Sequence, residues 1–130
     1  MKLVLDTHIY CDFAKGIPEV VEAMAEFGEN LFMPSIVLGE LNYGFMKGKK
    51  RQSNEQKLFQ VIRRLQIEII PVNADVDGKY GAIFISLEKK RAKIAINDVW
   101  IAACCMEIGG TLLTRDQQFK QVDQIEAIVL

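Results

Sequence analysis

Apolar residues recur along this chain in short β-like runs that alternate with stretches of helical spacing. Lys2 to Asp6 begins as an apolar run of strand character, and Ile17 to Phe27 carries Val20, Val21, Met24 and Phe27 on one helix face. Leu31 to Met33 predicts a short strand closed by Pro34, with Ser35 as the N-cap of a helix from Ile36 to Met46. Gly48 to Asn54 reads as a polar, basic turn. A helix from Glu55 to Leu65 then leads into a β-branched strand, Glu68 to Val72, that contains Pro71. Ala74 to Arg91 returns to helical spacing through Val76, Tyr80, Ile83 and Leu87. The last third repeats the alternation: a helix from Asn97 to Ile108 stopped by Gly109-Gly110, a strand from Thr111 to Thr114, a short helical turn, and a strand from Ile125 to Leu130.

Strands separated by helical crossovers imply a parallel sheet with helices on both faces, an α/β class fold in three α/β/α layers. No repeat and no linker interrupts the pattern, so residues 1–130 are expected to form a single domain. Strand order is not legible from periodicity. Half of the residues are apolar and a quarter charged, an ordinary soluble composition that argues against disorder. Met1 to Leu5 runs straight into an apolar strand, with none of the features of a secretory signal, and the longest apolar stretches are too short to span a bilayer. A cytoplasmic protein without a membrane segment is expected. The three cysteines, Cys11, Cys104 and Cys105, have no metal-ligand spacing and are expected to be buried reduced thiols.

The net charge of −1 conceals an uneven distribution. Between Lys47 and Lys93 basic residues outnumber acidic ones, and the runs Lys47, Lys49, Lys50, Arg51 and Lys89, Lys90, Arg91, Lys93 mark candidate RNA-binding surfaces. A solvated helix face accounts for the same charges equally well.

Four acids fall where an alternating α/β chain would bring them together: Asp6 after the first strand, Glu40 inside a helix, Asp98 opening a late helix and Asp116 after a late strand. Each has a bland alternative. Asp6 and Asp116 suit turns or caps, Thr7 suits the cap of the next helix, and a first-turn Asp98 meets the favourable end of a helix dipole. Glu40 resists that treatment, because Ile36 and Val37 place it on or beside the apolar stripe of its helix. Gly39 and Gly44 flank it at a cost of roughly 1 kcal/mol each in a helix, a cost that makes sense if something must approach the backbone. Together the acids describe a hard-cation site suited to magnesium or manganese, which activates water and neutralises charge on a phosphate. His8, the only histidine, is expected to pack or hydrogen-bond.

The segments L-V-L-D-T-H-I around Asp6, S-I-V-L-G-E-L-N-Y-G around Glu40, I-N-D-V-W-I-A-A around Asp98 and L-L-T-R-D-Q-Q-F around Asp116 resemble, in order, the motifs of the PIN-domain nucleases, and more narrowly of VapC-like toxins of toxin-antitoxin pairs. The resemblance covers nearly the whole chain. It implies a PIN-like fold whose acids Asp6, Glu40, Asp98 and Asp116 bind one or two Mg2+ or Mn2+ ions and perform catalysis, supported by Thr7, Asn97 and Thr114. It further implies a metal-dependent endoribonuclease acting on RNA, with tRNA or rRNA as the target class, a cognate VapB-like antitoxin and a homodimer. His8 stands where that family often has Asn or Ser, and Ala92 where it often has Gly.

Rival acid-gathering folds fit less well. A haloacid dehalogenase phosphatase needs an Asp at the position of His8, and a receiver domain needs an acidic pair after its first strand and a Lys after its last. The remaining alternative is a non-catalytic RNA-binding module of the PIN fold, which would tolerate loss of the acids.

Overall fold

A computed structural model describes all residues, 1–130. Five strands form one sheet: β1 (Lys2–Leu5), β2 (Asn30–Pro34), β3 (Glu68–Ile70), β4 (Thr111–Thr114) and β5 (Glu126–Val129). The order is β3-β2-β1-β4-β5 and every pairing is parallel. Six helices flank it: α1 (Thr7–Ala14), α2 (Pro18–Phe27), α3 (Ser35–Lys47), α4 (Arg51–Arg64), α5 (Ala74–Lys89) and α6 (Ile96–Ile108). This is the expected α/β/α architecture. No helix is long and apolar enough to cross a membrane.

The central strands are apolar because helices cover both of their faces. Leu3, Val4, Leu5, Leu112 and Leu113 are fully buried, and cutting one of these leucines to Ala would cost about 2–5 kcal/mol. α6 is buried nearly all round, with Ile101, Ala102, Ala103, Cys104 and Cys105 inaccessible, and Trp100 stacks on Tyr80 of α5 at a centroid distance of 3.9 Å. Its end is set by Gly109 at φ 64°, a left-handed residue that most side chains disfavour. Gly110 follows because a Cβ there would lie 2.8 Å from Val4 Cγ2.

Several boundaries differ from expectation for identifiable reasons. The chain after β1 forms two helices, since α1 ends before Gly16 at φ 74° and α2 restarts with Pro18 in its first turn. Asp6, not Thr7, caps α1. Ser35 is already the first helical residue of α3, and the flanking position is Pro34. α4 takes in Arg51 to Asn54, which polarity alone marked as turn, and Arg51 pairs one turn ahead with Glu55 at 2.8 Å. β3 stops at Ile70, before Pro71, whose nitrogen cannot donate to a ladder. All three cysteines are free, but only Cys104 and Cys105 are buried and Cys11 is half-buried.

Candidate active site

In the strand order β3-β2-β1-β4-β5 the chain's direction of travel across the sheet reverses between β1 and β4, and beyond their carboxyl ends lies the crevice of an open α/β sheet. Asp6 follows β1 immediately and Asp116 lies two residues beyond β4. α3 and α6 both begin at the same crevice and bring Glu40 and Asp98. A cleft of about 940 Å³ is lined by all four acids together with residues from the start of α1, from α3 and from the start of α6, among them Thr7, His8, Tyr43, Ile96 and Asn97. The acids separated by more than a hundred residues of sequence are thus collected by topology.

Each bland role proposed for an acid is real, and each coexists with the site. Asp6 caps α1, its Oδ1 accepting from the Thr7 amide at 2.7 Å, while its Oδ2 accepts from the Thr114 hydroxyl at 2.7 Å. Thr114 Oγ1 accepts in turn from the Asp116 amide at 3.0 Å, and Asp116 Oδ1 accepts from the Gln118 amide at 2.9 Å. Thr7 Oγ1 donates to Glu40 Oε1 at 2.8 Å. A carboxylate oxygen has two acceptor directions, so these bonds fix the rotamers and leave lone pairs for a ligand. α1, α3 and α6 all begin at the cleft, so their positive dipole ends face the gathered acids.

The gathered charge is only partly relieved. Asp98 is half-buried, and desolvation, followed by the nearby charges of Asp6, Asp116 and Glu40, pushes its pKa up to about 6. Burial also raises the Asp6 pKa, against the opposing hydrogen bonds from Thr114 and Thr7. A cation in the cleft would remove this conflict. The donors are chiefly oxygens, and no three His, Cys, Asp or Glu side chains close around one point as a ready-made cage. Oxygen donors are the chemistry that hard divalent cations take.

A sequence model of the PIN domain matches residues 3–125. The chain belongs to the PIN-domain family. This PIN-domain chain is 38% identical over 130 residues to Ribonuclease VapC2 of Rickettsia felis, covering 96% of this chain and 95% of that protein. It is 25% identical over 120 residues to Ribonuclease VapC5 of Mycobacterium tuberculosis, with coverage of 92% and 87%. Among solved structures, it resembles a chain of VapBC2 from Rickettsia felis bound to a DNA fragment from their promoter, at TM-score 0.87, 30% identity and 98% coverage of each chain. It is thus a VapC-like member of the PIN family.

Among residues that motif reading did not single out, Tyr43 and Ile96 are large, exposed and face the cleft. Tyr43 was legible in principle, three residues beyond Glu40 on the same helix. His8 does not pack as expected; it is exposed on the cleft wall. Arg115, between Thr114 and Asp116, reaches Asp12 of α1 at 2.5 Å and Glu19 of α2 at 3.4 Å. None of the eight basic residues of the two runs lines the cleft. Lys47 lies over the Tyr43 ring, 5.2 Å from its centroid. Lys49, Lys50 and Lys89 are exposed, and Arg91 and Lys93 border a separate cavity of about 610 Å³. Lys90 is engaged by Asp123 at 2.6 Å and by the Gln121 carbonyl at 2.9 Å.

Proposed function

We propose that this PIN-domain protein is an endoribonuclease that hydrolyses RNA phosphodiester bonds with Mg2+ or Mn2+, and that it is the toxin of a toxin-antitoxin pair. The observation that carries the reading is the cleft itself. Asp6, Glu40, Asp98 and Asp116, from four separate parts of the chain, line one opening in a protein 38% identical to a named ribonuclease.

When bound, the cation would activate a water for attack on phosphorus and neutralise the charge that builds on the transferring phosphate. Asp6, Glu40, Asp98 and Asp116 are the residues that would hold it, directly or through water. Thr114 and Thr7 orient two of them, donating to Asp6 Oδ2 and Glu40 Oε1. Such outer partners fix ligand geometry and commonly matter by about 10–100-fold when lost. Asn97, exposed on the cleft wall beside Asp98, would contact substrate. A VapB-like antitoxin completes the proposal by analogy with the VapBC2 complex; a homodimer and a cytoplasmic location rest on the family resemblance alone.

The test is cleavage of a mixed RNA pool by purified protein. Cleavage with Mg2+ or Mn2+ that stops on chelation, and that is absent from an Asp98→Asn preparation, is the expected result. Cleavage persisting in excess chelator, or surviving loss of Asp98, would exclude the mechanism. Binding without cleavage would favour the non-catalytic RNA-binding module.

A further inference from the structure

Only part of the cleft is acidic. Ile36, Gly39, Tyr43 and Lys47 recur along one stripe of α3, and the first three line the opening beside Glu40. Ile96, at the start of α6, lines it too. Tyr43 is 65% exposed and Ile96 59%, large apolar surfaces for which nothing in the fold supplies a cover. A Cβ added at Gly39 would meet nothing within 4 Å, so the helix surface between Ile36 and Tyr43 is open. The glycine serves no contact inside the protein. Lys47 lies over the tyrosine ring, 5.2 Å from its centroid, which sets a positive charge beside that surface.

We propose that this apolar end of the cleft, Tyr43 and Ile96 about the open Gly39, is a stacking subsite for an unpaired nucleobase next to the scissile phosphate. The inference rests on the ribonuclease reading and adds the substrate element that the acids leave unspecified. A phosphodiester at the carboxylates must place a neighbouring sugar and base against an adjoining wall. Aromatic rings hold unpaired bases by stacking with little regard to sequence, and a flanking lysine complements the backbone phosphate.

The test uses the full chain carrying Asp98→Asn, so that bound RNA is not consumed, and a single-stranded oligoribonucleotide with 2-aminopurine stepped through successive positions. Binding is followed by anisotropy and stacking by fluorescence quenching. Tyr43→Leu is expected to weaken binding about tenfold and abolish the quench at one position, while Tyr43→Phe, which keeps the ring, restores both. Gly39→Val covers that open helix surface; it should also weaken binding, in protein whose melting shows it folded. Unchanged affinity and quench in Tyr43→Leu and Gly39→Val would overturn the subsite, including the case in which these changes alter only the oligomeric mass and the patch is a contact between copies. If the parent cleaves RNA but the variants bind alike, the subsite alone fails. If the parent neither binds nor cleaves RNA, both readings fail.

Discussion

At the scale of single residues, Asp98 carries the sharpest conflict, because half-burial and three neighbouring acids hold its pKa near 6 against an ordinary 3.8. A carboxyl with a raised pKa binds its proton more tightly in the folded state, so the metal-free fold loses stability as pH rises from about 4 to about 6. The penalty is fully present at neutral pH and absent well below the ordinary value. Asp98→Asn keeps the shape and removes the charge, so the metal-free variant should be more stable than the parent at pH 7.5 by about 1–2 kcal/mol after discounting for partial exposure. That advantage should shrink toward zero near pH 4. Adding Mg2+ should stabilise the parent more than the variant, by mass action on the folded state. Equal destabilisation of the variant with and without metal would reduce Asp98 to a first-turn helix acid.

At the scale of elements, three hydrogen bonds and one ion-pair network lock the β4 exit to α1. Asp6 N donates to the Leu113 carbonyl at 3.3 Å, Thr114 bridges Asp6 and Asp116, and Arg115 reaches out to Asp12 and Glu19. Arg115 is a positioning residue, holding the turn that carries Asp116 without lining the cleft. Arg115→Met should leave the affinity for RNA nearly unchanged, lower the maximal cleavage rate and raise the Mg2+ concentration needed for half-maximal activity; Arg115→Lys should recover part of the loss. A rise in the apparent RNA affinity constant alone would make Arg115 a substrate contact instead. Sequence patterning announced the long elements here but not their seams. The split between α1 and α2 depends on Gly16 and Pro18, and the start of α4 on an Arg51–Glu55 pair within a polar run, neither of which alters hydrophobic periodicity. The acids were legible because motif order survives any loop length. Ile96 was not, and Tyr43 was legible only as a neighbour of Glu40 on its helix, since exposure of an apolar side chain is settled only by what tertiary packing leaves uncovered.

At the scale of the molecule, strand order was the missing quantity, and it decides which basic surface can serve the cleft. Periodicity gives five strands without their neighbours; the parallel pairing of β1 with β4 is what sets Asp6 beside Asp116. The same assembly divides the two basic runs. Lys47 lies over Tyr43, which lines the cleft, and the exposed Lys49 and Lys50 follow it in sequence; Lys93 borders the separate cavity but stands two residues before Ala95, which lines the opening. Lys90 instead has its ammonium committed to Asp123 and a carbonyl on the following turn. Single-stranded nucleic acid binding loses roughly 0.7 in the slope of log affinity against log salt for each phosphate contact removed. Changing Lys47, Lys49, Lys50 and Lys93 together to Gln should therefore flatten that slope by up to about 2–3 while cleavage of saturating RNA changes less. Lys90→Gln should leave the slope untouched and act on the packing of the β4–β5 connection against α5. A slope unchanged by the fourfold substitution, measured by titrating labelled RNA across salt concentrations, would mark all of these lysines as a solvated face and leave substrate attraction to the bound cation.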